Sequence, residues 1–526
     1  MKILYNAKIH SLDPSQPSAS VLVIDAGKVV ALGNADLLEV FGQRATREDM
    51  GGRVILPGLT DAHLHLMHYA LSLQVVDVET TSKKEALSRI GDRAAHTPAG
   101  DWILAHGWQQ NDWGGEFPSA ADLDAIAPQN PVYATGKSLH VSWANSSALK
   151  LAGISASTQD PVNGRILRDV RDQPTGILLE TAMQLVESIL PGADENKIAG
   201  AIESALPNLW KLGLTGAHDF DYRPAFVALQ ILDNSQRLKL RVTKSVPLEL
   251  LPHASALGLR TGFGSEYLRI GSVKVFMDGA LGPRTAAMLK PYLNESANRG
   301  ILNMDGEHFF EIGRQAADVG LSMTGHAIGD RATHEILDGF AQLRVYERER
   351  GLPALRHRIE HVQLLHPDDA QRLGSLGIIA SMQPIHAISD MKTADKYWGE
   401  RVDLAYSWRT QLEAGAVLAF GSDAPVEAPN PFWGLHAAVN RCRSDGYTGS
   451  RGWHPEQCIS MRQALDGYTV GAAYAAGRED HLGRLSPSFY ADLIVLEKDP
   501  FTCHPDELLS MQSSATMLNG EWLWQA

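Results

Sequence analysis

Two kinds of periodicity divide the chain. At its start, MKILYNAKIHSLD and SVLVIDAGKVVALG carry short apolar runs broken by Ala26-Gly27-Lys28, the pattern of strands joined by a tight turn. ADLIVLEKDP and SATMLNGEWLWQA near the other end have the same character, with Asn519-Gly520 marking a hairpin. The two ends, residues 1–56 and 472–526, are therefore expected to share one small β domain.

The middle, residues 57–471, alternates differently. Eight apolar strand candidates, ILPGLTDAHLH, LTGAHDF, LKLRVTKSV, LRIGSVKVFMD, GLSMTGH, LRHRIEH, GIIASMQPIH and AVLAFGSD, are separated by helical stretches. Such βα alternation predicts an α/β fold with a parallel sheet, and eight units predict a (β/α)8 TIM barrel. The gap between the first two candidates, about residues 67–205, far exceeds the roughly 2–6 residues of a βα loop. It is expected to be an inserted subdomain.

Composition narrows the partners. Hydrophobic residues make up 44% and charged residues 21% of 526 positions, enough for a large core. With Lys+Arg 47 against Asp+Glu 61 the net charge is −14, which argues against nucleic acid. No apolar run approaches the ~18 residues of a membrane span, and the first residues turn polar too soon for a signal peptide. A cytoplasmic protein with a small-molecule substrate is expected. Cys442, Cys458 and Cys503 form no CxxC pair, so neither disulfides nor a thiolate metal site is indicated.

Candidate chemistry lies where such barrels keep it, at the C-terminal ends of the strands. His63 and His65 are one residue apart, so a strand would send both to one face; among 20 His chance alone gives about 0.8 such pairs. The other strand ends supply His218, Lys274, His326, His361 and Asp423. Parity places Lys274 opposite Val273 and Val275, and His326 opposite Met323, so both face inward. In RHRIEH the alternation fails, because Arg356, Arg358 and Glu360 occupy the face meant for helices. Lys274 has three readings: a carbamate bridging two metals, a salt-bridged structural lysine with Asp278 or Asp423, or a Schiff-base lysine.

The stretches ILPGLTDAHLHL, SLHVSWANSSAL, VKVFMDGALGPRTAAM, GHAIGDRA, RIEHVQLL, GSDAPV and GRLSPSFYADLIVLEKDP resemble, in order, the amidohydrolase superfamily. Within it they resemble the branch called amidohydrolase family three, which includes N-substituted formamide deformylases. The resemblance implies a distorted (β/α)8 barrel and a β-sandwich built from both termini. It implies two divalent metals, one held by His63, His65 and Asp423, the other by His326 and His361, with carboxylated Lys274 as the bridge. A homodimer is the family's expectation.

The implied reaction is hydrolysis of a carbon–nitrogen bond other than a peptide bond by a metal-activated water, with Asp423 as general base and acid. Imidazole and carboxylate donors favour zinc. Around this set, Asp61 is read as orienting a ligand or capping a turn, His218 as touching substrate or structural, and His140 as an oxyanion or substrate contact or a packing residue. Trp108, Trp113 and Trp143 are read as an aromatic wall or as insertion core. Asp278 and Arg284 are read as an ion pair, or Arg284 as a clamp for a substrate carboxylate. The competing functions are a mononuclear aminohydrolase acting on a heterocycle, an inactive scaffold barrel, and a Schiff-base lyase.

Overall fold

A computed structural model describes the chain except residues 44, 191–193 and 444 and the side chain of residue 450; residues 191–193 lie within the expected insertion. Eight strands form one parallel sheet in sequence order: β1 Leu59–Leu64, β2 Leu214–Asp219, β3 Arg241–Pro247, β4 Leu268–Phe276, β5 Met323–Ala327, β6 Arg358–His361, β7 Ile379–Met382 and β8 Leu418–Phe420. Each overlaps one candidate read from the sequence; six lie wholly inside theirs, and β3 and β5 run one residue beyond, to Pro247 and Ala327. β1 and β8 meet beyond the strand proper, where Asp423 N–H donates to His63 O at 2.7 Å and His65 N–H to Ala424 O at 2.9 Å. Register shifts between β1 and β2 and between β3 and β4 distort the barrel on that side.

The first candidate, one continuous stretch in the sequence, forms two strands. Val54–Pro57 pairs antiparallel with Leu493–Leu496 in a terminal sheet, and Gly58 separates it from β1. Continuous apolar character spans both because each piece is buried, in different sheets. That terminal sheet has six strands and draws on both ends of the chain; a four-stranded sheet from the first 49 residues lies beside it. Leu4, Ile24 and Val29 of one sheet pack with Ile9, Ile55, Leu493 and Met517 of the other.

Between β1 and β2 a six-stranded sheet runs from Val76–Asp77 to Pro174–Glu180. The helix Glu195–Lys211 begins inside the expected insertion, 67–205, and runs past its end, yet it buries Ile198, Ile202, Leu206 and Leu209 in the barrel's main core. Among the described residues no helix is long and apolar enough to cross a membrane.

Candidate metal centre

The site starts from Asp61. Its carboxylate accepts the backbone N–H groups of His63 at 3.1 Å and Ser422 at 3.0 Å, and the Ser422 hydroxyl. It ties the His-x-His segment to the residue before Asp423, and burial pushes its pKa up to about 6. A Cβ on Gly421 would lie 2.4 Å from the His63 nitrogen, so β1 and β8 reach this separation only with glycine there.

His63 Nε2 and His65 Nε2 each lie 3.3 Å from Asp423 Oδ1. The opposite ring nitrogens are held by carboxylates: His63 Nδ1 by Glu360 Oε2 at 2.6 Å and His65 Nδ1 by Asp221 Oδ1 at 3.1 Å. A carboxylate at Nδ1 fixes the proton there and leaves Nε2 a lone pair for a metal. His63 Nε2 is buried with no hydrogen-bond partner, which is the arrangement a cation completes.

His326 and His361 stand beside this trio, their ring centroids 4.4 Å apart and His361 4.9 Å from His63. His361 Nδ1 is bonded to Gln383 Oε1 at 2.9 Å, and His326 Nε2 donates to Gly279 O at 2.9 Å. Each ring therefore keeps one nitrogen for a ligand. Backbone φ is 74° at His361 and 63° at Asp423. Left-handed backbone at such residues costs about 1–3 kcal/mol and persists where the surroundings dictate it.

Lys274 lines the same cavity. Burial pushes its pKa down to about 8 against the opposing pull of Glu360 and Asp423. Its Nζ lies 4.9 Å from the Phe220 ring centre and 4.7 Å from that of Phe276. Among the described residues it makes none of the salt bridges, to Asp278 or Asp423, that a structural lysine would need.

β6 departs from the alternation read in the sequence, with a physical reason. Glu360 points inward to His63, and Arg358 points inward to His218 Nδ1 at 2.8 Å and to Glu360. Burial would raise the Glu360 pKa, but Arg358 and His63 hold it well below the usual carboxylate range. His361 reaches the site because the strand ends there in left-handed backbone, so parity no longer applies to it.

Other expected residues divide. His140 lines the cavity, with Nδ1 2.8 Å from Glu180 Oε2 and its ring 6.0 Å from that of His326. Burial opposes its protonation, and Glu180 outweighs burial to raise the pKa. His218 does not reach the cavity; it is buried below, where burial and Arg358 push its pKa down to about 3. Trp108, Trp113 and Trp143 form no wall of the site. Their rings pack 6.0–6.2 Å apart in the insertion's own core, and their N–H groups go to backbone carbonyls.

The expected Asp278–Arg284 ion pair is absent. Asp278 accepts the N–H groups of Ala287, Ile328 and Gly329 at 2.8–3.1 Å, and burial pushes its pKa up to about 7. Arg284 instead pairs with Glu295 at 2.7 Å and is not among the residues that line the cavity.

Residues missed in the sequence are mostly partners of ligands. Asp221, two positions after the end of β2, holds both His65 and His68, and only its place near a strand end could have pointed to it. Glu180 and Gln383 have no spacing signal. His386 is buried beside His361, its Nε2 3.9 Å from Asp423 Oδ2.

Above the cluster opens a cavity of about 670 Å³, walled by Phe276 and Tyr222 from the barrel and by Leu104, Tyr133 and Met183 from the insertion. A (β/α)8 barrel that gathers four imidazoles, an aspartate and a lysine at the strand ends under such a cavity is a metal-dependent hydrolase.

The chain belongs to the amidohydrolase family, whose Amidohydro_3 model, described as "Amidohydrolase family", matches residues 48–523. It is 32% identical to the Arabidopsis thaliana protein LONG AFTER FAR-RED 3 over 99% of this chain and 91% of that one. It is 26% identical to N-substituted formamide deformylase of Arthrobacter pascens over 98% and 97%. A metal-dependent hydrolase structure from Pyrococcus horikoshii OT3 is 29% identical and superposes with a TM-score of 0.79 over 96% of this chain and 99% of that one.

Proposed function

We propose that the protein hydrolyses a carbon–nitrogen bond other than a peptide bond, in a small amide or N-acyl compound. The observation that carries this reading is the pair of Nε2 atoms 3.3 Å from Asp423 Oδ1, each ring pinned through Nδ1 by a carboxylate. The similarity to an N-substituted formamide deformylase supports the bond type.

His63, His65 and Asp423 would hold one divalent ion and His326 and His361 a second, zinc on the chemistry of the donors. Lys274 would be the ligand common to both. As a neutral amine it adds carbon dioxide, forming an N–C bond and releasing one proton, and its lowered pKa makes that amine available near neutral pH. Bound there, the ions would polarise the substrate carbonyl and acidify the attacking water.

The chain's own groups do the rest. Burial opposes ionisation of Asp423, but His63 and His65 hold its carboxyl well below the usual range, so it begins as the base. It takes a proton from the water and returns it to the leaving nitrogen. His140, anchored on Glu180, directs its Nε2–H toward the carbonyl oxygen as negative charge gathers there. Phe276, Leu104 and Met183 hold the apolar part of the substrate and keep water out. A cytoplasmic homodimer, with the two terminal sheets as a β-sandwich, completes the reading.

The test is elemental analysis of metal per chain combined with a panel of amides and N-acyl amines. Two ions per chain and release of a free amine are expected. One ion after loading with zinc and bicarbonate, together with ammonia release from heterocycles, replaces this reading with the mononuclear aminohydrolase.

A further inference from the structure

At the end of the barrel opposite the metal centre lies a cavity of about 20 Å³, room for one particle the size of a water or a halide. Thr60, Thr215, Arg241, Arg478, Arg484 and Tyr490 contribute to its lining. Arg241 is neutralised: its Nε and Nη2 grip both oxygens of Asp492 at 2.5 and 3.0 Å. Arg478 is not.

Arg478 is only 5% exposed, yet its Nε and Nη2 have no hydrogen-bond partner. Among the described residues its one hydrogen bond runs from Nη1 to the Glu266 carbonyl at 2.9 Å. The Nε of Arg484, on the same cavity, is likewise buried without a partner. Carboxylates in the neighbourhood have other hydrogen-bonded partners: Asp13 accepts the Ser486 hydroxyl at 2.6 Å, Asp466 pairs with Arg462 at 3.0 Å, Glu479 with Arg356 at 2.5 Å, and Glu266 accepts the Tyr490 hydroxyl at 2.7 Å. Three arginines thus line one small space, and Asp492 is the carboxylate residue among its lining.

A guanidinium does not shed its proton at neutral pH. Even with burial and Arg241 pushing it down, the Arg478 pKa stays at about 10. A buried charge without a counter-charge is costly, and Arg478 and Arg484, which both carry unpartnered N–H groups, both contribute to the lining of this cavity.

We propose that this cavity binds one small inorganic monoanion of chloride size, clamped by Arg478 and Arg484 between the starts of β1–β3 and the segment leading to Leu493–Leu496. Its role is to brace the barrel against the terminal sheet, since Gly58 N–H, just ahead of β1, donates to Asp492 O at 2.9 Å beside it. The Thr60 hydroxyl supplies a further donor suited to an anion, whereas that of Thr215 is donated to Leu59 O at 3.3 Å.

The test uses the metal-loaded protein. Thermal melting is compared in sodium chloride, sodium bromide and sodium gluconate at matched ionic strength, and a crystal soaked in bromide is measured at the bromine edge. Halide is expected to raise Tm saturably by about 2 °C or more over gluconate, with an anomalous peak beside Arg478. Arg478→Met should fold with a Tm indifferent to the anion. Equal melting of the natural chain in all three salts, or a cavity without a bromide peak, overturns the proposal. Both readings come from the unaltered chain, so they stand even if the variant does not fold.

Discussion

Single residues here work in linked pairs, and the pairing tells which changes act on chemistry and which on the scaffold. His140 reaches the cavity from the insertion, and Glu180 both orients it and favours its charged form; the other Glu180 oxygen accepts the Thr285 hydroxyl at 2.9 Å. Glu180→Gln keeps the shape and one of the two acceptor oxygens but removes the charge. If His140 stabilises the developing oxyanion, kcat falls about 10- to 100-fold with KM and metal content little changed. A fall in metal content, or a rise in KM alone, would instead make Glu180 a support for the site's framework. Asp221 belongs to that second kind: it holds His65 and His68 and also accepts the Met67 N–H at 2.6 Å.

At the scale of elements, the βα alternation revealed all eight barrel strands, because a buried parallel strand is an apolar run whatever packs on it. Strand parity located His63, Lys274 and His326 for the same reason. It misassigned β6, where Arg358 and Glu360 share the inward face because each meets an opposite charge or a polar ring there, and His361 joins them only through its left-handed backbone. The Asp278–Arg284 pairing, expected from the family motif, gives way to Glu295, eleven positions from Arg284. One inter-element tie makes a pH prediction. His357 Nδ1 accepts the N–H of Met323, first residue of β5, at 2.9 Å, while its Nε2–H donates to Glu347 on the helix Asp330–Glu349 at 2.9 Å. Burial holds this imidazole below its ordinary 6.5 despite Glu347. The unfolded chain therefore binds the extra proton more readily. Stability is full above about 6.5 and is lost as pH falls through that value toward the lower folded one. Tm should drop between pH 7 and pH 5.5, and His357→Asn, which keeps an acceptor and cannot titrate, should flatten the slope. An unchanged slope would put the acid sensitivity elsewhere.

Across the whole molecule, the candidate ligands come from β1, β4, β5, β6 and the turn after β8, so ions bound by all of them would close the barrel as a hoop does. Without ions, the molecule holds a buried Nε2 lacking a partner on His63 and the left-handed backbone of His361 and Asp423, all of it strain or desolvation that ligation offsets. Binding to the folded state alone stabilises by mass action. Chelation should therefore lower Tm by about 5 °C or more, and zinc should restore it. The two terminal sheets hold none of these ligands. If they melt as a separate step, that step should stay where it was while the barrel's moves down. A Tm unmoved after verified metal loss would mean that the hydrogen bonds of Asp61, Glu360 and Asp221 hold the strand ends together unaided. The metals would then serve chemistry alone.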